Sequence, residues 1–490
     1  MKLLPLACTA ILALAAPLFA QQPADVYEAR TFSDAAGKTL NYRLLKPQNY
    51  DAAQKYPLVL LLHGAGERGD NNVAQLKYGA ALFIKPEVRE KYACFVVAPQ
   101  CPAEQKWADI DWTSDAPTQP PQVSESMGLT LGALEALGKE FSIDRDRLYV
   151  TGLSMGGYGT WDLITRFPDK WAAAMPICGG GDKAKAALAK NVPIWAFHGV
   201  EDPAVKLVRT VEMIGAITAA GGNPLYSEYP YVAHDSWNIA FSEPALLPWL
   251  FAQKRGQAPV PFEKVAGSLA QPPSNQCAGA GPMQSGIWFR NLWLQRRTEW
   301  SKAKDADQGA VVFFGDSITQ GWNSLARDFP QFKTANRGIS GDTTRGLRTR
   351  IQGDVLDLHP RAVSMLIGTN DLDQGGTPEV VAENLKAIVA DLHKADAKMP
   401  IIINKVMPRG PKPGKFPEKI QQLNALYEAA FKDDAMVTFC DTWTLFDDGN
   451  ASVAKDVFPD LLHPNGVGYT KWTAALQPIF EKLKLNAPAQ

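Results

Sequence analysis

Two serines sit where an apolar run breaks into a turn. Ser154 lies in "RLYVTGLSMGGYG" (147–159) and Ser317 in "GAVVFFGDSIT" (309–319). Each run leaves one hydroxyl at its tip. An alcohol at neutral pH attacks a carbonyl poorly unless a base takes its proton and a second group fixes that base in one tautomer. Histidine and a carboxylate suit these tasks. The chain has 6 histidines, so each can be weighed in turn.

Around Ser154 the spacing is G-x-S-x-G, with Gly152 and Gly156 on either side. A strand that must reverse sharply into a helix needs small residues there, so that neighbouring turns do not collide and the hydroxyl stays exposed. The N–H of Met155 then faces the attacked carbonyl, aided by the positive helix N-terminus. Two histidines follow in this half. His198 ends the strand-like "WAFHG" and reads as structural. His234 follows "PLYSEYPYVAH" into a loop and reads as the base. Asp202, just past the preceding strand, is the favoured acid, with Glu201 as the alternative. "HGAGERG" (63–69) adds a glycine-rich turn whose Ala65 N–H is a second candidate oxyanion donor. Residues 40–250 resemble the α/β-hydrolase superfamily in the order strand–Ser–helix, Asp, His. "LHGAGERGDN", "GLSMGGYGTW" and "HDSW" narrow the resemblance to esterases of the feruloyl and acetylxylan type and the related predicted-peptidase group.

"GDSIT" lacks a second glycine, so Ser317 needs a different geometry. Three further blocks follow in order: "NRGISGDTT" (336–344), "GTND" (368–371) and "DLLHPNGVGY" (460–469). Asp460 and His463 are three residues apart, close enough for one turn to bring carboxylate and imidazole together. His463 can take the Ser317 proton while Asp460 fixes the ring. With Ser317 the blocks resemble the SGNH or GDSL hydrolase family across residues 287–485. The resemblance implies an oxyanion hole formed by the Ser317 N–H, the Gly341 N–H and the Asn370 side chain. Asp316 and Asp371 read as structural hydrogen-bonders. His359, in "DLHP" (357–360), precedes the strand that leads to Asn370. A seven-residue strand is about 23 Å long, which puts His359 on the edge opposite the ligand side. His393 reads as a surface residue at a helix end.

The elements that must carry these residues alternate. "PLVLLLHG" (57–64), "CFVVAPQ" (94–100), "RLYVTGLS" (147–154), "WAAAMPICGG" (171–180) and "VPIWAFHG" (192–199) read as buried parallel strands. Residues 125–141 and 205–222 read as amphipathic helices. A Pro-, Gly- and Gln-rich stretch at 254–286 reads as a flexible joint. Strands then recur at 309–317, 361–371, 399–408 and 435–442, and helices at 378–395, 417–431 and 466–483. The expected fold class is α/β throughout: an α/β-hydrolase domain at 21–253, the linker, and a three-layer, flavodoxin-like SGNH domain at 287–490.

Residues 1–20 read as an export leader. Lys2 precedes an apolar run from Leu3 to Phe19, with Ala20 before the cleavage point. The run is broken by Pro5 and Pro17 and is about 17 residues long, marginal for a membrane span. The expected location is therefore secreted or periplasmic, with no membrane insertion of the mature chain. The mature chain would keep five sparse cysteines, which do not make a disulfide scaffold. The formal net charge of −1 gives no electrostatic reason to expect nucleic acid as partner. No cofactor and no metal is implied. Trp107 and Trp112, in a long polar insertion at 101–126, and Trp237 and Trp322, near the site histidine and serine, are candidate stacking surfaces for a sugar or aromatic acid. The expected substrate is an acylated polysaccharide such as xylan, losing acetyl or feruloyl groups; the alternatives are one catalytic domain with the other as a binding module, or hydrolysis of lipid esters or peptides.

Overall fold

The computed structural model describes residues 21–412 and 416–485. The leader read in residues 1–20 lies outside them. Two separate sheets form. The first has eight strands: β1 (Glu28–Ser33), β2 (Thr39–Leu45), β3 (Tyr56–Leu62), β4 (Phe95–Pro99), β5 (Ile143–Leu153), β6 (Ala173–Ile177), β7 (Trp195–Gly199) and β8 (Leu225–Tyr229). Their spatial order is β1-β2-β4-β3-β5-β6-β7-β8. β2 runs antiparallel to β1 and β4; all other neighbours are parallel. The second sheet is wholly parallel: β9 (Val311–Gly315), β10 (Thr334–Gly338), β11 (Ala362–Leu366), β12 (Ile401–Asn404) and β13 (Val437–Cys440), in the order β10-β9-β11-β12-β13.

The near-continuous apolar runs arise because both faces of each sheet are covered. In β3, Leu58, Leu60 and Leu62 enter one core while Val59 and Leu61 enter another. In β9, Val312 and Phe314 divide from Val311 and Phe313 in the same way. This is the two-residue strand period acting between two layers of helices. Among the described residues no helix is long and apolar enough to cross a membrane. The five cysteines there are free and buried.

The segment at 254–286 differs from the flexible joint its composition suggests. It packs along β8, the last strand of the first sheet. Tyr226 N–H donates to Asn275 Oδ1 at 2.8 Å and Glu228 N–H to Ser274 Oγ at 3.1 Å. The Ser285 hydroxyl donates to Glu228 O at 2.6 Å. Phe262 is buried against Trp195. From the other side, Arg345 donates to Ser274 O and Gly281 O, and Asn384 to Ala280 O. The prolines and glycines supply turns that let side chains reach strand N–H groups, so the segment acts as mortar between the sheets.

A helix at Ile287–Ala303 carries no clear apolar period, although its inner face holds Phe289, Trp293 and Trp300. Arg290 and Arg297 share that face. Their charges are met by Glu243 at 3.1 Å and Asp354 at 2.9 Å. Paired arginines occupying core positions conceal the period that apolar residues would have shown.

Candidate active sites

β5 delivers Ser154 to the carboxyl edge of the first sheet, and a helix at Met155–Arg166 follows at once. Ser154 has φ +54°, a strained value for a residue with a side chain, as a nucleophile held on a sharp turn requires. The two glycines are dictated by contact. A Cβ on Gly156 would overlap the Leu62 carbonyl oxygen, and one on Gly152 would overlap the Gly156 carbonyl.

His234 Nε2 lies 2.9 Å from Ser154 Oγ, and its Nδ1 lies 2.7 Å from Asp202 Oδ2. Asp202 has no side-chain exposure. Burial alone would raise its pKa. Hydrogen bonds from His198, His234 and the Val205 N–H outweigh burial and hold the carboxyl well below its ordinary range. The carboxylate is therefore an acceptor, Nδ1 carries the proton that meets it, and Nε2 is left to accept from the serine hydroxyl. His198 is fully buried behind the acid, with Nε2 3.2 Å from Asp202 Oδ2, and positions it. Glu201 is exposed and forms no contact with the imidazole. The Ala65 and Met155 N–H groups donate to no acceptor among the described residues. His63 steadies the turn that bears Ala65: its Nε2 accepts from the Cys101 N–H at 2.9 Å and its Nδ1 faces Gly64 O at 2.6 Å. Cys178, Asp202 and His234 are the one grouping of metal-ligand side chains among the described residues. Asp202 and His234 are already engaged with each other.

The second site stands at the carboxyl edge of the other sheet. Ser317 follows β9 and opens a short helix whose N-cap, Asp316, accepts from the Ile318 N–H at 3.0 Å. His463 Nε2 lies 2.8 Å from Ser317 Oγ and Nδ1 2.6 Å from Asp460 Oδ2. Asp460 Oδ1 accepts from the N–H groups of Leu462 and His463, folding this stretch into one turn. Partial burial raises the Asp460 pKa, but the bonds from His463 and the two N–H groups lower it to about 2. Exposure separates the two sites. Asp460 and His463 are 57% and 39% exposed, whereas Asp202 and His234 are 0% and 25%. Gly341 has φ +84° and, like Ser317, an N–H without a protein acceptor among the described residues. The Asn370 amide donates to Asp342 O at 2.9 Å, which orients it.

Each arrangement can take a proton from a serine hydroxyl and present N–H donors to a developing oxyanion. Comparison with known proteins agrees with that chemistry. Residues 50–243 match the Phospholipase/Carboxylesterase family, and residues 313–471 match the GDSL-like Lipase/Acylhydrolase family. The alpha2 subunit of platelet-activating factor acetylhydrolase IB from Bos taurus is 30% identical over 208 residues, 40% of this chain and 87% of that protein. The human alpha1 subunit is 30% identical over 190 residues, 37% of this chain and 79% of that protein. The chain belongs to the GDSL-like lipase/acylhydrolase family. It carries an α/β-hydrolase domain ahead of the GDSL domain and is an ester-hydrolysing enzyme. Among solved structures, a thermostable esterase is 38% identical with a TM-score of 0.44; the match covers 47% of this chain and spans only 64% of that esterase. A GDSL-like lipase from Bacteroides thetaiotaomicron is 29% identical with a TM-score of 0.35, covering 38% of this chain and 97% of that one.

Two of the four tryptophans expected to stack on substrate of this acylhydrolase cannot do so. Trp107 is 0% exposed, and its indole N–H donates to His63 O at 3.0 Å. It pins the 101–126 insertion onto the core. Trp322 is 1% exposed and stacks on Trp472 at 4.5 Å. A large ring close in sequence to a reactive residue gains more by filling the core beneath the site than by facing water. Trp112 and Trp237 are half-buried; Trp237 meets the His234 ring edge-on at 5.2 Å. The exposed tryptophan at the GDSL site is Trp288, whose ring packs on Gly341. Its position in the arginine-rich helix gave no signal in sequence. His359 is exposed and bonded to Gln308, at the entry end of β11. His393 is half-buried rather than at the surface, 3.6 Å from Asp434.

Beneath the GDSL site, Asp316, Asp342 and Asp371 are all essentially buried. Burial, then mutual repulsion, pushes Asp316 up to about 7; burial likewise pushes Asp371 to about 7 and Asp342 to about 6. Between pH 4, about where such groups ionise in an unfolded chain, and about 7, the folded domain keeps protons that the unfolded chain has lost. These carboxyls therefore make stability fall as pH rises through that window. Asp316→Asn removes part of the effect. Its melting temperature, minus that of the parent, should become more positive from pH 4 to pH 7.5 by calorimetry; a flat difference would contradict the assignment.

Proposed function

We propose that this enzyme is an exported, two-site serine esterase that strips acyl groups from plant cell-wall polysaccharides such as xylan. The GDSL site removes acetyl groups, and the α/β-hydrolase site removes acetyl or feruloyl groups. Ser154 and Ser317 are the nucleophiles, His234 and His463 the bases, and Asp202 and Asp460 the orienting acids. Ala65 and Met155 N–H serve the first oxyanion; Ser317 N–H, Gly341 N–H and the Asn370 amide serve the second. Each serine forms an acyl-enzyme that water then opens. Export through residues 1–20 belongs to the same reading.

The observation that carries it is a direct contact between the two domains, made by residues close in sequence to both sites. Tyr231, three residues before His234, donates its hydroxyl to Asp373 O, three residues after Asn370, at 2.7 Å. A substrate bearing many esters along one chain gains most from two such sites, because engagement at one raises the effective concentration at the other. A second reading, lipid-ester hydrolysis at the GDSL site, is favoured by the relatives named platelet-activating factor acetylhydrolase. The test is acetate release from acetylated xylo-oligosaccharides and from platelet-activating factor under the same conditions. Faster release from the oligosaccharides is expected. Preference for the phospholipid would give the GDSL site to the second reading.

A further inference from the structure

Six arginines are buried among the described residues: Arg209, Arg290, Arg297, Arg337, Arg350 and Arg409. Five of them are ion-paired. Arg209 meets Asp115, Arg290 meets Glu243, Arg297 meets Asp354, Arg337 meets Asp307, and Arg350 meets Asp342. Arg409 is the exception. It is 9% exposed, yet no carboxylate among the described residues forms an ion pair with it. Its one hydrogen bond there runs from Nη1 to Thr369 Oγ1 at 3.4 Å, and the Phe416 ring lies 5.1 Å from Cζ. A guanidinium has five N–H donors, and the other four of this one meet no protein acceptor among the described residues.

Its place is next to the chemistry. Thr369 precedes Asn370. The Arg409 loop follows β12 and presses on the turn that carries Asp460 and His463: the Gly410 N–H donates to Leu461 O at 2.7 Å, and a Cβ on Gly410 would lie 2.5 Å from Leu461 Cβ. Asp373, Asp316 and Asp460 exert a longer-range pull on the guanidinium. Each is otherwise occupied, Asp373 by Lys412, Asp316 by the Ile318 N–H and Asp460 by His463.

We propose that Arg409 anchors a carboxylate on the substrate of the GDSL site, the acid group of a uronic acid residue on an acylated polysaccharide, and so places a neighbouring ester over Ser317. The free edge of the guanidinium matches the two coplanar oxygens of a carboxylate. This rests on the polysaccharide reading above, and names which sugar chains it concerns.

The test uses the full chain carrying Ser154→Ala, so that only Ser317 turns over. Two substrates are compared: an acetylated xylo-oligosaccharide bearing glucuronate, and the same oligosaccharide with its carboxyl reduced to an alcohol. The acidic form should have a kcat/KM about tenfold higher, mostly through KM, as expected of a charge-assisted bond. Arg409→Gln should collapse that ratio to about one, and Arg409→Lys should keep part of it. An unchanged ratio in Arg409→Gln, or no preference in the parent, overturns the proposal. Should Arg409→Gln fail to fold, inhibition of 4-nitrophenyl acetate hydrolysis by the methyl glycoside of glucuronic acid, its carboxylate free, or by inorganic phosphate decides in the Ser154→Ala chain. Competitive inhibition by glucuronate supports the anchor. Inhibition by phosphate alone, or by neither, overturns it. Hydrolysis of the carboxyl-reduced oligosaccharide reports on the polysaccharide reading by itself.

Discussion

Ser154→Ala and Ser317→Ala should each abolish one of two separable activities, and the double variant should abolish both. On the reading proposed above each serine hydroxyl forms the acyl-enzyme, and loss of such a nucleophile lowers kcat by about 10⁶. The imidazole partners lie on different sheets, with His234 Nε2 2.9 Å from Ser154 Oγ and His463 Nε2 2.8 Å from Ser317 Oγ. Neither base can therefore serve the other serine. On an activated acetate ester, which both sites should accept, each single variant leaves the rate of the remaining site. On acetylated and feruloylated oligosaccharides the two variants should lose different products. Titration with a serine-directed phosphonate gives an independent count: two equivalents for the parent, one for each single variant, none for the double. If Ser154→Ala leaves every activity unchanged, the reading with two working sites is wrong.

Replacing the two acids should not cost the same. Asp202→Asn is expected to lower kcat at the first site by about 10⁴, the loss known when an amide in place of the carboxylate imposes the wrong tautomer on the histidine. Asp202 is fully buried, so no water can stand in for the missing acceptor, and the electrostatic pull on His234 acts at low effective dielectric. Asp460 is 57% exposed. Solvent can approach His463 Nδ1 and screens the ion that forms during turnover, so Asp460→Asn should cost only about 10²-fold. Each variant is measured with the other serine changed to alanine, which isolates one site at a time. Equal losses would show that exposure of the acid does not govern its contribution here.

Much of this geometry was legible in the residues themselves. The elbow at Ser154 was readable because Gly152 and Gly156 answer to backbone collisions, and such collisions leave only one residue type. Asp460 and His463 were readable because three residues of separation fit one turn. The strands of both sheets were readable wherever they are covered on both faces. β1, with its alternating partly exposed "EARTFS", and β10, whose buried Arg337 is paired to Asp307, offered no such run. Tryptophan misled, and the buried arginines went unread, for a common physical reason: both are large and amphipathic, and only packing decides which end meets water. Trp107 and Trp322 turned inward, Trp288 outward, and Arg409 hides in "MPRGPKPG", a stretch composed like a surface turn.

The stretch lying along β8 has a practical meaning for anyone separating the two catalytic halves. Asn275, Ser274 and Ser285 satisfy the main chain of Tyr226 and Glu228. Cleavage near residue 253 would strip that cover and bare a ribbon of unsatisfied amides, an invitation to intermolecular strand addition and insolubility. An isolated first half that retains residues up to about 286 should stay monodisperse, while the shorter piece should self-associate.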